Sequence, residues 1–248
     1  MSTLLKRVGI VTGASSGIGY AVANVLAEAG AIVYAISRTG KVKDETMPVH
    51  ENVRHVQGDV CDDQTMQAVV DNIVKEHGKL DFLINNAGIT EKHRAEAFPI
   101  EAFERIMKVN VQSVFRLCQI CYPYLKNSEH VGRIVTISSM AAHLGFSEVT
   151  PYCVSKAAVL GLTRGLCVEW ANNNITVNSV APGWFPSEMS KQVMDEARKA
   201  KILARMPVHC FGDTRDLGAM VRFLLEDSAQ YITGQDFAVD GGALAYGF

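Results

Sequence analysis

Excess charge of either sign is missing from this sequence. Its 24 Lys and Arg stand against 26 Asp and Glu, a formal net charge of −2. That excludes the basic footprint of a nucleic-acid-binding protein and a polybasic arm for a membrane surface. Long apolar runs are missing too. Lys6-Arg7 breaks the short N-terminal one, so Val8 to Val11 reads as a first strand rather than a signal peptide, and no stretch can span a bilayer. No proline-rich or low-complexity linker divides the chain, and no internal repeat is visible. The six cysteines show no framework spacing, which speaks for reduced thiols and a cytoplasmic location. Cys118 and Cys121 form a lone C-x-x-C inside an apolar helical run, Phe115 to Tyr124. A redox pair belongs where a strand feeds a helix, so core packing is expected here and no metal site.

What is present is alternation. Of the 248 residues 48% are hydrophobic and 20% charged, enough to bury a sizeable core. Strands are predicted at Val8–Val11, Ile32–Ile36, Val53–Val56, Leu80–Ile84, Arg133–Ile137, Thr176–Val180 and Phe237–Val239. Helices are predicted at Tyr20–Ala29, closed by Gly30, and from a cap at Asp62 to about His77, stopping at Gly78. Others run from about Ile100 to Leu125, from Thr150 to about Asn173, and near Ser190–Leu203 and Thr214–Glu226. Strand and helix in turn imply an α/β, Rossmann-type doubly wound parallel sheet of about seven strands with helices on both faces, in a single domain over residues 1–248.

The first strand enters T-G-A-S-S-G-I-G, with Gly13, Gly17 and Gly19, and then a helix. In that context a glycine turn brings backbone N–H groups and the positive end of a helix to a pyrophosphate, with Gly13, Ser15, Ser16, Gly17, Ile18 and Gly19 as candidates. The spacing G-x-x-x-G-x-G departs from the usual G-x-G-x-x-G. At the end of the second strand an NAD enzyme would place a carboxylate on the ribose. Here Ser37 and Arg38 stand there, and a guanidinium suits a 2′-phosphate, so NADP(H) is the expected cofactor. Asp59, followed by Val60, is placed to reach an adenine amino group. Asn86, Ala87 and Gly88 in N-N-A-G let the backbone lie close to a flat ring.

The stretch from Ser139 to Lys156 organises the rest. Tyr152 and Lys156, four residues apart, share one helix face, and Thr150-Pro151 reads as N-cap and first helical residue. An ammonium beside a phenol pulls its pKa down from about 10 towards neutrality, where it can exchange protons with a substrate oxygen. Ser139, at the end of the fifth strand, adds a second hydroxyl. Taken alone, Tyr-x-x-x-Lys also describes an ordinary amphipathic surface.

Taken together, T-G-A-S-S-G-I-G at 12–19, N-N-A-G at 85–88, Asn110, Ser139, Tyr152-x-x-x-Lys156 and Pro182-Gly183 resemble the short-chain dehydrogenase/reductase family over essentially the whole chain. The resemblance implies Tyr152 as general acid/base and Ser139 as a donor to the substrate oxygen. Lys156 would hold the nicotinamide ribose, and Asn110 a water that relays protons. Pro182, Gly183, Ser187 and Met189 would lie along the nicotinamide. It also implies a homotetramer, with Phe237, Val239 and the tail from Ala243 to Phe248 at interfaces. The P-V-H-C-F-G run at 207–212 departs from the family's P-x-G-R-x-G, putting in doubt a polar contact near the substrate lid.

Within the family, N-A-G-I-T-E-K-H-R (86–94), T-P-Y-x-x-S-K (150–156), L-T-R-G-L-C-V-E-W-A (162–171) and P-G-W-F-P-S-E-M (182–189) are most similar to gluconate 5-dehydrogenases and 2-dehydro-3-deoxygluconate 5-dehydrogenases. Lys92, His93 and Arg94 would receive a substrate carboxylate; a solvated charged loop is the plain alternative. β-Ketoacyl carrier-protein reductases share A-G-I-T and Y-I-T-G-Q. Where they tend to carry basic residues for their acidic carrier, this chain reads N-S-E-H (127–130) and N-N-N (172–174). His143, Phe146, Trp184 and Phe185 would suit a steroid or other apolar secondary alcohol. A non-catalytic nucleotide-binding protein is the alternative of another class, and the intact set Asn110, Ser139, Tyr152 and Lys156 speaks against it.

Overall fold

The computed structural model describes residues 3–185 and 196–246. Its strands are β1 (Val8–Thr12), β2 (Ile32–Ser37), β3 (Val53–Gln57), β4 (Phe82–Asn85), β5 (Gly132–Ile137), β6 (Ile175–Pro182) and β7 (Asp236–Val239). They form one sheet in the order β3-β2-β1-β4-β5-β6-β7, every neighbouring pair parallel. Strand order reverses between β1 and β4. At such a switch point the crossovers leave to opposite sides, and a crevice opens beyond the carboxyl ends of the strands.

Helices cover both faces, as alternating side chains of a doubly buried strand require. Val11, Val33, Ile84 and Val180 point to the side packed by α1 (Gly17–Glu28) and α7 (Thr214–Leu225). Ile10, Ile36, Leu83 and Val177 point to the side of α2 (Asp63–His77), α4 (Ser113–Leu125) and α5 (Thr150–Trp170). Each such fully buried aliphatic side chain contributes roughly 1.5–3 kcal/mol of transfer free energy. α6 spans Glu196–Arg205; the earlier part of the helix expected from Ser190 lies outside the described residues.

Local signals decide most boundaries. Asp62 caps α2 by accepting from the N–H groups of Gln64 and Thr65, and Gly78 ends it in the left-handed region. The start of α5 differs from expectation: Val149 is the N-cap, Thr150 and Pro151 are the first helical residues, and no side chain caps the end. The helix expected over Ile100–Leu125 is also not uniform. Between α3 (Ile100–Met107) and α4, residues Lys108–Gln112 form a π turn, a one-turn widening that re-aims the chain at Asn110. Cys118 and Cys121 are buried in α4. Burial pushes the Cys118 thiol up to about 12 and the Cys121 thiol well above its ordinary range, as packing residues rather than a redox pair. Among the described residues no helix is long and apolar enough to cross a membrane, and no cluster of His, Cys, Asp and Glu could hold a metal ion.

Candidate active site

A cavity of about 1000 Å³ lies beyond the carboxyl ends of the central strands. The β1–α1 turn forms one wall. Gly13 has φ +66°, and a Cβ there would stand 2.8 Å from the Ala87 Cα; one on Gly19 would stand 2.4 Å from Asn86 Nδ2. Thr12 and Asn86 make the close approach possible. The Thr12 hydroxyl accepts from the N–H groups of Asn86 and Ala87 at 3.0 and 3.1 Å. Asn86 Nδ2 returns bonds to the carbonyls of Thr12 and Gly13 at 2.9 and 3.2 Å. Ser15, Ser16, Gly17 and Ile18 line the same wall, where α1 begins without a side-chain cap. Unpaired N–H groups and the helix dipole make that end a seat for an anion.

Ser37, Arg38, Asp59 and Val60 line the far end, together with Thr39, Lys41, Val42 and Lys43, which sequence reasoning had not singled out. Ser37 closes a turn by accepting from Gly40 N at 3.2 Å, and Asp59 Oδ1 accepts from Cys61 N at 2.9 Å. The Arg38 side chain is exposed, and among the described residues no carboxylate pairs with it. Loop 38–52 reaches back over α1 through Lys43 N to Ser15 O at 2.8 Å and His50 N to Asn24 Oδ1 at 2.8 Å. These long-range ties explain why Lys41 and Lys43 lay beyond a motif search.

At the inner end stand Ser139, Tyr152 and Lys156. Ser139 is the N-cap of a short turn, Met140–Ala142, and its Oγ accepts from Ala141 N at 3.1 Å. Burial raises the Tyr152 pKa and outweighs the lowering influence of the nearby Ser139 hydroxyl. Lys156 is fully packed. Its Nζ donates to the Ile137 carbonyl at 2.7 Å, lies 5.6 Å from the centre of the Tyr152 ring, and burial lowers its pKa to about 8. The expected lowering of the Tyr152 pKa by Lys156 is therefore not what this arrangement gives: desolvation governs both groups.

Asn110 completes the cluster. Its Oδ1 accepts from Ile89 N at 2.9 Å, and its Nδ2 donates to Ile89 O at 2.9 Å and to Ser155 Oγ at 3.0 Å. Ser155 in turn donates to the Tyr152 carbonyl at 2.8 Å. Ser155 is the positioning residue that sequence reasoning missed, although the S in T-P-Y-x-x-S-K was its signal. A Cβ on Gly88 would stand 3.3 Å from Asn110 Oδ1 and 3.8 Å from Lys156 Nζ, so the two side chains flank one backbone point. Pro182 and Gly183, at the end of β6, line the cavity with Trp184 and Phe185; Ser187 and Met189 lie outside the described residues.

The residues expected to meet substrate divide. Phe146 and Trp184 line the cavity with ring centres 6.0 Å apart, edge to face, beside Met140 and Val149. Phe185 lines it too, but is buried in the core on the α1–α7 side. Lys92, His93 and Arg94 do not line it. Each faces a carboxylate: Lys92 that of Glu148 at 3.2 Å, His93 that of Glu91 at 3.8 Å, and Arg94 that of Glu96 at 2.7 Å. A neighbouring acid thus stands beside each of the three side chains. His143 is also outside the lining, its ring turned to Asp236 at 2.6 Å. Thr90 Oγ1, buried and without a partner among the described residues, belongs to a cavity-lining residue and is a polar atom a ligand would satisfy.

Comparisons with known proteins agree with this geometry. A family model described as Enoyl-(Acyl carrier protein) reductase matches residues 13–243. A 2-dehydro-3-deoxy-D-gluconate 5-dehydrogenase of Bacillus subtilis (strain 168) is 34% identical over 246 residues, 98% of this chain and 96% of the relative. A 3-oxoacyl-(acyl-carrier-protein) reductase of Vibrio cholerae is 36% identical over 238 residues, 95% of this chain and 96% of the relative. The crystal structure of a gluconate 5-dehydrogenase from Burkholderia cenocepacia J2315, in complex with NADP and tartrate, superposes with a TM-score of 0.89 at 31% identity, covering 98% of this chain and 96% of that one. By motif order, sheet topology and these likenesses, the chain belongs to the short-chain dehydrogenase/reductase family.

Proposed function

We propose that this oxidoreductase is NADP(H)-dependent and interconverts a ketone and a secondary alcohol, with a keto-gluconate-type sugar acid as its substrate. One observation carries the reaction type: Ser139, Tyr152 and Lys156 line the same cavity as the β1–α1 turn, with Lys156 Nζ 5.6 Å from the centre of the Tyr152 ring. A dinucleotide held along this wall would supply the hydride for the substrate carbon. The chain does the rest. Tyr152 gives its phenolic proton to the substrate oxygen as negative charge develops there, and Ser139 donates a second hydrogen bond to the same atom. Burial keeps the Tyr152 phenol protonated, the form a reductase needs before turnover. Lys156 would hold the nicotinamide ribose hydroxyls, and Asn110 would seat a water between Lys156 and solvent, so that the proton given by Tyr152 can be replaced.

The same wall residues fit the dinucleotide. Gly13, Ser15, Ser16, Gly17, Ile18 and Gly19 take the pyrophosphate, and their close packing leaves no room for side chains at Gly13 and Gly19. Ser37 and Arg38 take the 2′-phosphate, Asp59 and Val60 the adenine. Asn86, Ala87, Gly88, Pro182 and Gly183 flank the nicotinamide side.

The sugar-acid reading rests on the relatives, with tartrate bound in one of them. A second reading, a β-ketoacyl thioester or a hydroxysteroid-like alcohol, rests on the apolar wall of Met140, Phe146, Val149 and Trp184. Following NADPH absorbance with 5-ketogluconate, acetoacetyl thioesters and a hydroxysteroid panel decides. Turnover of the sugar acid alone supports the first reading; turnover of a thioester or steroid alone replaces it.

A further inference from the structure

Asp236 opens β7, far from any motif, and its side chain is only 10% exposed. Its carboxylate is fully engaged. Oδ1 accepts the hydroxyls of Ser138 at 2.7 Å and Ser179 at 2.5 Å, and Oδ2 lies 2.6 Å from Nε2 of His143. Ser138 directly precedes Ser139. His143 directly follows the turn Met140–Ala142 that Ser139 caps, its own N–H bonded to Met140 O at 3.0 Å. One carboxylate therefore grips the turn on both sides of Ser139.

A three-residue 3-10 turn has little stability of its own. Its internal bonds, Ala141 N to Ser139 Oγ and Ala142 N to Ser139 O at 2.9 Å, fix its shape but not where it stands over the cavity. That placement comes from outside. Ser138 N bonds Val180 O at 2.8 Å at the entrance, and the bond from His143 to Asp236 anchors the exit. The contact between His143 and Asp236 joins segments 93 positions apart, so it fixes the turn against a different part of the fold.

We propose that Asp236 and His143 are positioning residues that set where the Ser139 hydroxyl stands opposite the Tyr152 phenol, and so govern turnover although neither lines the cavity. This rests on the reading of Ser139 and Tyr152 given above. It gives His143 a role other than substrate contact, and explains why a lone carboxylate opens an otherwise apolar strand.

The test uses the full chain, with kcat normalised to NADPH-binding sites titrated by nicotinamide fluorescence. His143→Ala should lower kcat about tenfold, since small misplacements of a reacting group are costly, while the Kd for NADPH stays within about twofold. His143→Gln, whose amide N–H can still donate to Asp236, should recover roughly half or more of the lost kcat. The double variant Asp236→Asn with His143→Ala should cost no more than the worse single one, because both break the same contact. A purely structural role would lower the Tm and the number of sites and leave kcat per site unchanged. His143→Ala at parental kcat per site, or His143→Gln as impaired as His143→Ala, overturns the proposal; both stand even if Asp236→Asn fails to fold. Tyr152→Phe separates the two claims. If that variant is active, the reading of the site fails; if it is inactive and His143→Ala is unimpaired, this proposal alone fails.

Discussion

The Lys156 ammonium donates to the main-chain carbonyl of Ile137 at 2.7 Å, at the strand end that leads into Ser138 and Ser139. The helix bearing Tyr152 is thereby tied to the strand that leads into Ser139 by the cation between them. Burial with this neutral partner disfavours the charge and brings the Lys156 pKa from 10.5 to about 8.

That shift has a consequence for stability. Between pH 8 and 10.5 the unfolded chain holds the Lys156 proton and the folded chain does not, so stability gained from this group rises with pH across that window and is lost as pH falls through it. Lys156→Met removes the titration at similar volume. Without cofactor, the stability of the parent relative to this variant should rise by on the order of 3 kcal/mol from about pH 7 to about pH 10 in urea unfolding. A difference that stays flat with pH would show that the ammonium is not desolvated.

Arg38 gives the second prediction. The parent should bind NADPH at least about tenfold more tightly than NADH, on the order of 1.4 kcal/mol, and Arg38→Ala should erase most of that preference. Fluorescence titration of both cofactors checks it. Equal affinities in the parent remove the role given to Arg38.

Assembly gives the third. Val168 on α5 is 81% exposed, Val154 on the same helix 42%, and Tyr231 fully exposed, a cost that a partner surface would relieve. A homotetramer of the 27.0 kDa chain would have four times that mass. Light scattering should return that mass for the parent and a smaller one for Val168→Glu. A parental mass near 27.0 kDa contradicts the assembly.

What the sequence made legible was set by periodicity and by bonds between near neighbours. Tyr152 and Lys156 meet because a helix repeats every 3.6 residues, and Asp62 and Gly78 mark the ends of α2 by local chemistry. The π turn at Lys108–Gln112 escaped because Asn110 is held by Ile89 and Ser155 rather than by its own helix. Lys92 looked available because the carboxylate of Glu148 arrives from a distant loop, whereas the acids beside His93 and Arg94, Glu91 and Glu96, were already in view two residues away. The Ile137 carbonyl that takes Lys156 is main chain and has no side-chain signature at all. His143 and Asp236 find each other only once β7 is laid against β6.

The central claim is that the Tyr152 phenol is the proton donor at this site. Tyr152→Phe keeps the ring and removes only the hydroxyl, so NADPH should bind as before while ketone reduction, followed by NADPH absorbance, falls by about 10²-fold or more. Turnover equal to the parent's, with NADPH bound, would contradict it.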